Sequence, residues 1–185
     1  MAFFTGLVVT VGWLAVFIAL KEWGIVISLL ALGGGAFCSW RIAMRGNFSS
    51  GLMLAQLVHM AYAVGYCLLC DVPDDGIPRT THLYLLTIAL VGYINYQRKP
   101  TRVQMALIAA SLLSFMALSS ADLIFPFASP LPHPLRLFIS LVNAILATAI
   151  LCGGIVAMHA DFSRRNEKIR AIQHALYNNE FVLFY

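Results

Sequence analysis

Six runs of apolar residues leave this chain few folds to choose from. A helix that crosses a bilayer needs roughly 17 to 25 mostly apolar residues, because each adds about 1.5 Å of rise across a hydrocarbon slab about 30 Å thick. The runs cover 4–20, 24–40, 51–70, 82–96, 103–125 and 136–158. They are continuous rather than alternating, which excludes a closed barrel, and in lipid their backbone polar groups can then be satisfied only within helices. The expected fold is therefore all-α, a polytopic membrane bundle of six transmembrane helices. The fourth run is the weakest, since Tyr93, Asn95 and Tyr96 crowd one end of it. With 61% hydrophobic and only 11% charged residues, the chain lies outside the composition of water-soluble domains.

Basic residues set the expected orientation. With the N-terminus in the cytoplasm, Arg41, Arg45, Arg98, Lys99, Arg102, Arg164, Arg165, Lys168 and Arg170 fall inside, against Lys21, Arg79 and Arg136 outside. That bias follows the positive-inside rule and places both N- and C-termini in the cytoplasm. Asp71, Asp74 and Asp75, in the third-to-fourth connection, agree with it. The net charge of +4 does not denote a nucleic-acid partner, because the basic residues sit at helix ends rather than in one patch. Topology and contact with anionic headgroups of the lipid bilayer account for them. The opening MAFFTG lacks a basic n-region, so the first helix is expected to be retained rather than removed as a signal peptide.

Lys21-Glu22-Trp23-Gly24 joins the first two spans as a tight hairpin, with Trp13 and Trp23 placed as interfacial anchors. Gly33-Gly34-Gly35 in the second span and Gly153-Gly154 in the sixth allow neighbouring backbones to approach closely. The two longer outside connections are too short to be separate ligand-binding domains. Beyond the sixth span, Ile169, Ile172 and Leu176 recur at helical spacing among charges, which predicts a cytoplasmic connector helix continuous with the span. Its stripe suits pairing in a homodimer, or packing on whatever follows.

Polar residues within spans are costly and are candidate sites by default. At about 100° per residue, Gln56, His59, Ala63, Cys67 and Cys70 share one face of the third span. Several readings of that face stay open. Gln56 and His59 can hold a ligand or haem, although haem normally takes a second histidine at matching depth. Cys67 and Cys70, with Asp71, His82 and His133, offer copper or zinc a mixed donor set at the outer surface, or a redox-responsive thiol pair. The alternative is structural: Gln56 and His59 hydrogen-bond neighbouring helices and the cysteines pack as small apolar residues, as Cys38 and Cys152 do. Asp122 near the outer end of the fifth span pairs most simply with Arg136 at the start of the sixth. No further carboxylates or histidines extend that pair into a proton or ion pathway, and no inverted repeat is seen, which disfavours a transporter. The chain also lacks a phosphate loop, a nucleophile elbow, an HExxH motif or a shared carboxylate pair, so no catalytic residue is expected in it.

The tail, Arg164 to Tyr185, reads RRNEKIRAIQHALYNNEFVLFY. A charged helix ending in Ala175-Leu176, two asparagines and then Glu180-Phe-Val-Leu-Phe-Tyr185 in strand alternation resembles the opening of EAL domains, which hydrolyse cyclic di-GMP. A multi-span region leading into such a start is similar to MASE-type sensor architectures. The resemblance covers about a tenth of the chain and implies a division into a membrane sensor over 1–158, a signalling helix over 159–178 and the first residues of an EAL domain over 179–185. It implies the multi-pass inner membrane of a bacterium and a downstream phosphodiesterase domain as partner. Glu180 belongs to the entrance motif, so no catalytic residue carries over. An autonomous small membrane protein, either a transporter subunit or an assembly factor, and a haem- or metal-binding redox protein are the alternatives.

Overall fold

A computed structural model describes residues 2–73, 76–98, 101–120 and 131–177. The described chain is all-helical: α1 (Ala2–Ala19), α2 (Trp23–Met44), α3 (Phe48–Leu69), α4 (Leu83–Arg98), α5 (Arg102–Ser120) and α6 (His133–Tyr177). Each helix coincides with one apolar run. Four of them, α2, α3, α5 and α6, are long and apolar enough to cross a membrane. Among the residues whose side chains are described, the apolar stretches of the other two helices are Thr10–Ala19 in α1 and Leu83–Gln97 in α4. The 16 residues of α4 supply about 24 Å of rise, less than the hydrocarbon thickness.

Local chemistry ends the helices where the chain must turn. The α1–α2 hairpin reverses through Lys21, whose φ of 61° is left-handed. At the end of α2, Gly46 takes φ 88° and donates its amide to Ala43 O at 3.1 Å, capping carbonyls that the helix leaves without partners. α5 starts with Thr101 Oγ1 accepting from the Gln104 amide at 3.1 Å, an N-cap. In α6, Pro134 occupies the first turn, where a missing N–H costs nothing.

Helix α2 packs on α3, α4 on α5, α1 on α2 and α6 on α4, while α3 also meets α4 and α5. Small residues set the closest crossings. A Cβ placed on Gly51 would lie 2.6 Å from the Ser39 carbonyl and 2.9 Å from Ala43 Cβ, and one on Gly35 would lie 2.6 Å from Val58. Ser39 is fully buried in this seam and satisfies its hydroxyl on Gly35 O at 2.7 Å. Two apolar clusters follow. One joins Phe17, Ile25, Val26, Leu29, Tyr66 and Ile139; the other joins Ala63, Cys67, Leu85 and Leu118.

Between 22% and 28% of the apolar window in each long span is buried inside the bundle. The remaining apolar surface, including Ile27, Leu113, Phe138 and Val156, is exposed and is the surface that lipid would solvate. α6 continues without interruption for 45 residues, about 68 Å. Its buried residues, Arg136, Ile139, Ser140, Asn143 and Ala147, all lie between positions 136 and 147.

Candidate functional site

Polar groups gather at two levels of the bundle. The first is a knot built on the connection between α3 and α4. Asp71, 5% exposed, turns its carboxylate back onto the chain: Oδ2 accepts from the Thr80 amide at 3.0 Å and the Thr81 amide at 2.7 Å. Arg79, also buried, donates from Nε to Asp71 O at 3.0 Å and from Nη1 to Leu118 O at 2.9 Å. That second bond falls on a backbone carbonyl close to the last described residue of α5. Asn143 of α6 donates from Nδ2 to Thr81 Oγ1 at 3.0 Å, and Tyr84 Oη lies 3.4 Å from Asn143 Oδ1. One short connection thus ties together the ends of α3, α4, α5 and α6.

His82 closes the knot. It precedes α4 and stacks on Phe115 of α5, ring centroids 5.2 Å apart and planes 19° apart. Its Nδ1 is buried without a hydrogen-bond partner among the described residues.

The second level is an amide junction between α3, α4 and α5. Gln104, 3% exposed, donates from Nε2 to Gln56 Oε1 at 2.8 Å and to Gly92 O at 3.2 Å. The absence of a side chain at Gly92 makes room for the Gln56 amide, which an added Cβ would displace. Gln56 Nε2 is buried with no partner among the described residues.

Comparison with protein-family models, curated proteins and solved structures yields no match. The chain's own geometry therefore carries the functional reading.

That geometry separates residues which the helical wheel puts on one face. Gln56, Ala63 and Cys67 are buried, whereas His59 and Cys70 are half-buried. His59 Nδ1 lies 2.7 Å from Ala55 O of its own helix, so this nitrogen carries the proton and the ring is tied to α3. Cys67 packs against Leu85 and Leu118 as an apolar side chain. Cys67 and Cys70 are free thiols, as are the exposed Cys38 and Cys152. Among the described residues no three His, Cys, Asp or Glu side chains come together as a metal site. Asp71 is engaged by two amides, His82 lies against Phe115, and His133 is exposed at the start of α6. The expected Asp122–Arg136 pair cannot be placed, because Asp122 lies outside the described residues; Arg136 itself is 5% exposed. Asp74, Asp75 and the EAL-like stretch 179–185 also lie outside them.

Sequence reasoning missed Gln104, Asn143, Thr81 and Arg79. For two of these a signal was present: Gln104 and Asn143 are polar residues inside apolar runs, the same criterion that selected Gln56.

Proposed function

We propose that this chain is a membrane-embedded sensory and anchoring module, with six spans and both termini in the cytoplasm of a bacterium, that acts on a cyclic di-GMP phosphodiesterase domain following Tyr185. Two copies pair through α6. The observation that supports this reading best is the continuity of α6 from the polar knot, through Asn143, to Tyr177. At about 100° per residue, Ile169, Ile172 and Leu176 fall on the same side of α6 as Ile139, Asn143 and Ala147. The side that is buried in the bundle therefore continues as an apolar stripe, and each of the three stripe residues is more than half exposed. Such a stripe calls for a cover, and a partner helix or the downstream domain supplies one. A stimulus acting at the Gln56 to Cys70 face would shift the balance between two arrangements of α6.

Helical phase gives a direct test. Inserting two residues after Ala160 in the full-length protein rotates the stripe by about 200°, whereas inserting seven returns it to within about 20° of its original phase. Phosphodiesterase activity should lose its stimulus response with the two-residue insertion and keep it with the seven-residue one. An equal response from both proteins would sink the proposal.

A further inference from the structure

At the end of the bundle where α2 turns into α3, a cavity of about 220 Å³ opens between that turn and the facing ends of α4 and α5. Asn47, Ser49, Asn95 and Gln104 supply its polar walls, and Phe48 and Leu52 its apolar one. The hydrogen-bond inventory of these walls is incomplete. Gln104 is 3% exposed and its Nε2 is doubly engaged, but its Oε1 accepts from no described residue. Ser49 and Asn95 make no side-chain hydrogen bond among the described residues. Asn47 Oδ1 already accepts from Ser50 Oγ at 2.9 Å, which leaves its Nδ2 to donate. Gln104 Oε1 therefore stands as an acceptor that the cavity wall can offer to a donor.

Four features define what would meet it. The volume equals about seven waters at ~30 Å³ each, which is below the ~300 Å³ at which pockets hold whole drug-sized ligands. A nucleotide or haem is too large, so only the head of a bigger molecule fits. Gln104, the most buried of the lining residues, offers an acceptor, which suits a hydroxyl donor and not a carboxylate. Phe48 lines the cavity yet is 56% exposed, so one wall runs out onto the apolar surface, as an amphiphile requires. Arg45 and Arg102, both exposed, lie one and two residues in sequence from lining positions 46 and 104 and put positive charge at this end of the bundle.

We infer that this cavity binds the glycerol head of an anionic phospholipid, with hydroxyls against Gln104 Oε1 and Asn95 and the phosphate toward Arg45 and Arg102. The inference does not depend on a downstream domain or on what α6 transmits.

The test is lipid binding by the intact chain in phosphatidylcholine nanodiscs doped with phosphatidylglycerol or with phosphatidic acid, which shares the charge but lacks the glycerol head. Native mass spectrometry reads the lipid retained. Phosphatidylglycerol should be retained at least tenfold more strongly than phosphatidic acid, and Asn95→Leu, which fills the cavity without breaking a hydrogen bond, should remove that preference. Ser49→Ala should weaken it while leaving the Gln104–Gln56 junction intact. Equal retention of the two lipids, or a preference unchanged in Asn95→Leu, overturns the assignment. Displacement of the lipid by soluble glycerol 3-phosphate at comparable concentration would assign the cavity to a free ligand of the same chemistry and overturn the lipid.

Discussion

Replacing Asp71 tests what holds the ends of α3, α4, α5 and α6 together. Its Oδ2 serves two backbone amides, Thr80 at 3.0 Å and Thr81 at 2.7 Å, at a site where Asp71, Thr80 and Thr81 are all buried. Asp71→Ala strands both donors. At about 1–3 kcal/mol for each buried group left unsatisfied, the loss is about 2–6 kcal/mol, a large share of an ordinary folding free energy. Asp71→Asn keeps an oxygen of the same reach and gives up only the assistance of the charge, about 1–3 kcal/mol over two bonds. Unfolding of the purified chain in bicelles by steric trapping reports these differences directly. The expected order of stability is wild type, then Asp71→Asn, then Asp71→Ala. A cost below about 0.5 kcal/mol for the alanine variant would mean that water serves the two amides. Equal losses in the two variants would mean that the charge matters and the hydrogen bonds do not. Either result would refute the account of the knot as an amide clamp.

Two further outcomes follow from other regions of the bundle. Gly51→Leu should cost about 1–3 kcal/mol or more by forcing α2 away from α3, whereas Gly34→Leu, where nothing lies within 4 Å, should be nearly neutral in the same assay. In a double-mutant cycle, Gln56→Leu and Gln104→Leu should be coupled by about 0.6–1.7 kcal/mol, and strict additivity would deny their hydrogen bond any energetic role.

Hydropathy reveals the helices because bilayer thickness fixes how long an apolar run must be; the predicted 24–40 and 51–70 appear as Trp23–Met44 and Phe48–Leu69. It does not reveal which helix covers which face. The wheel groups Gln56 with His59 correctly in angle, but α5 supplies a partner for Gln56 alone, and His59 turns to its own backbone. The glycine run makes the same point. Gly35 meets Val58, Gly33 lies 3.7 Å from Thr10 and Gly34 faces open space, a division set by helix phase against two different neighbours. The knot was hidden for another reason. Its bonds run from a loop carboxylate to loop amides and from a loop arginine to a helix carbonyl, contacts that no periodicity encodes.

The anchoring of α6 over its first half makes it a lever. It meets α4 at Gly154, where an added Cβ would lie 2.8 Å from Leu90, and from there to Tyr177 the helix extends about 35 Å. A tilt of only about 5° about that contact would sweep the far end through about 3 Å, close to the rise of two helical residues. Displacements too small to disturb the packing of the bundle would become, at Leu176, large enough to bring apolar surfaces together or to separate them.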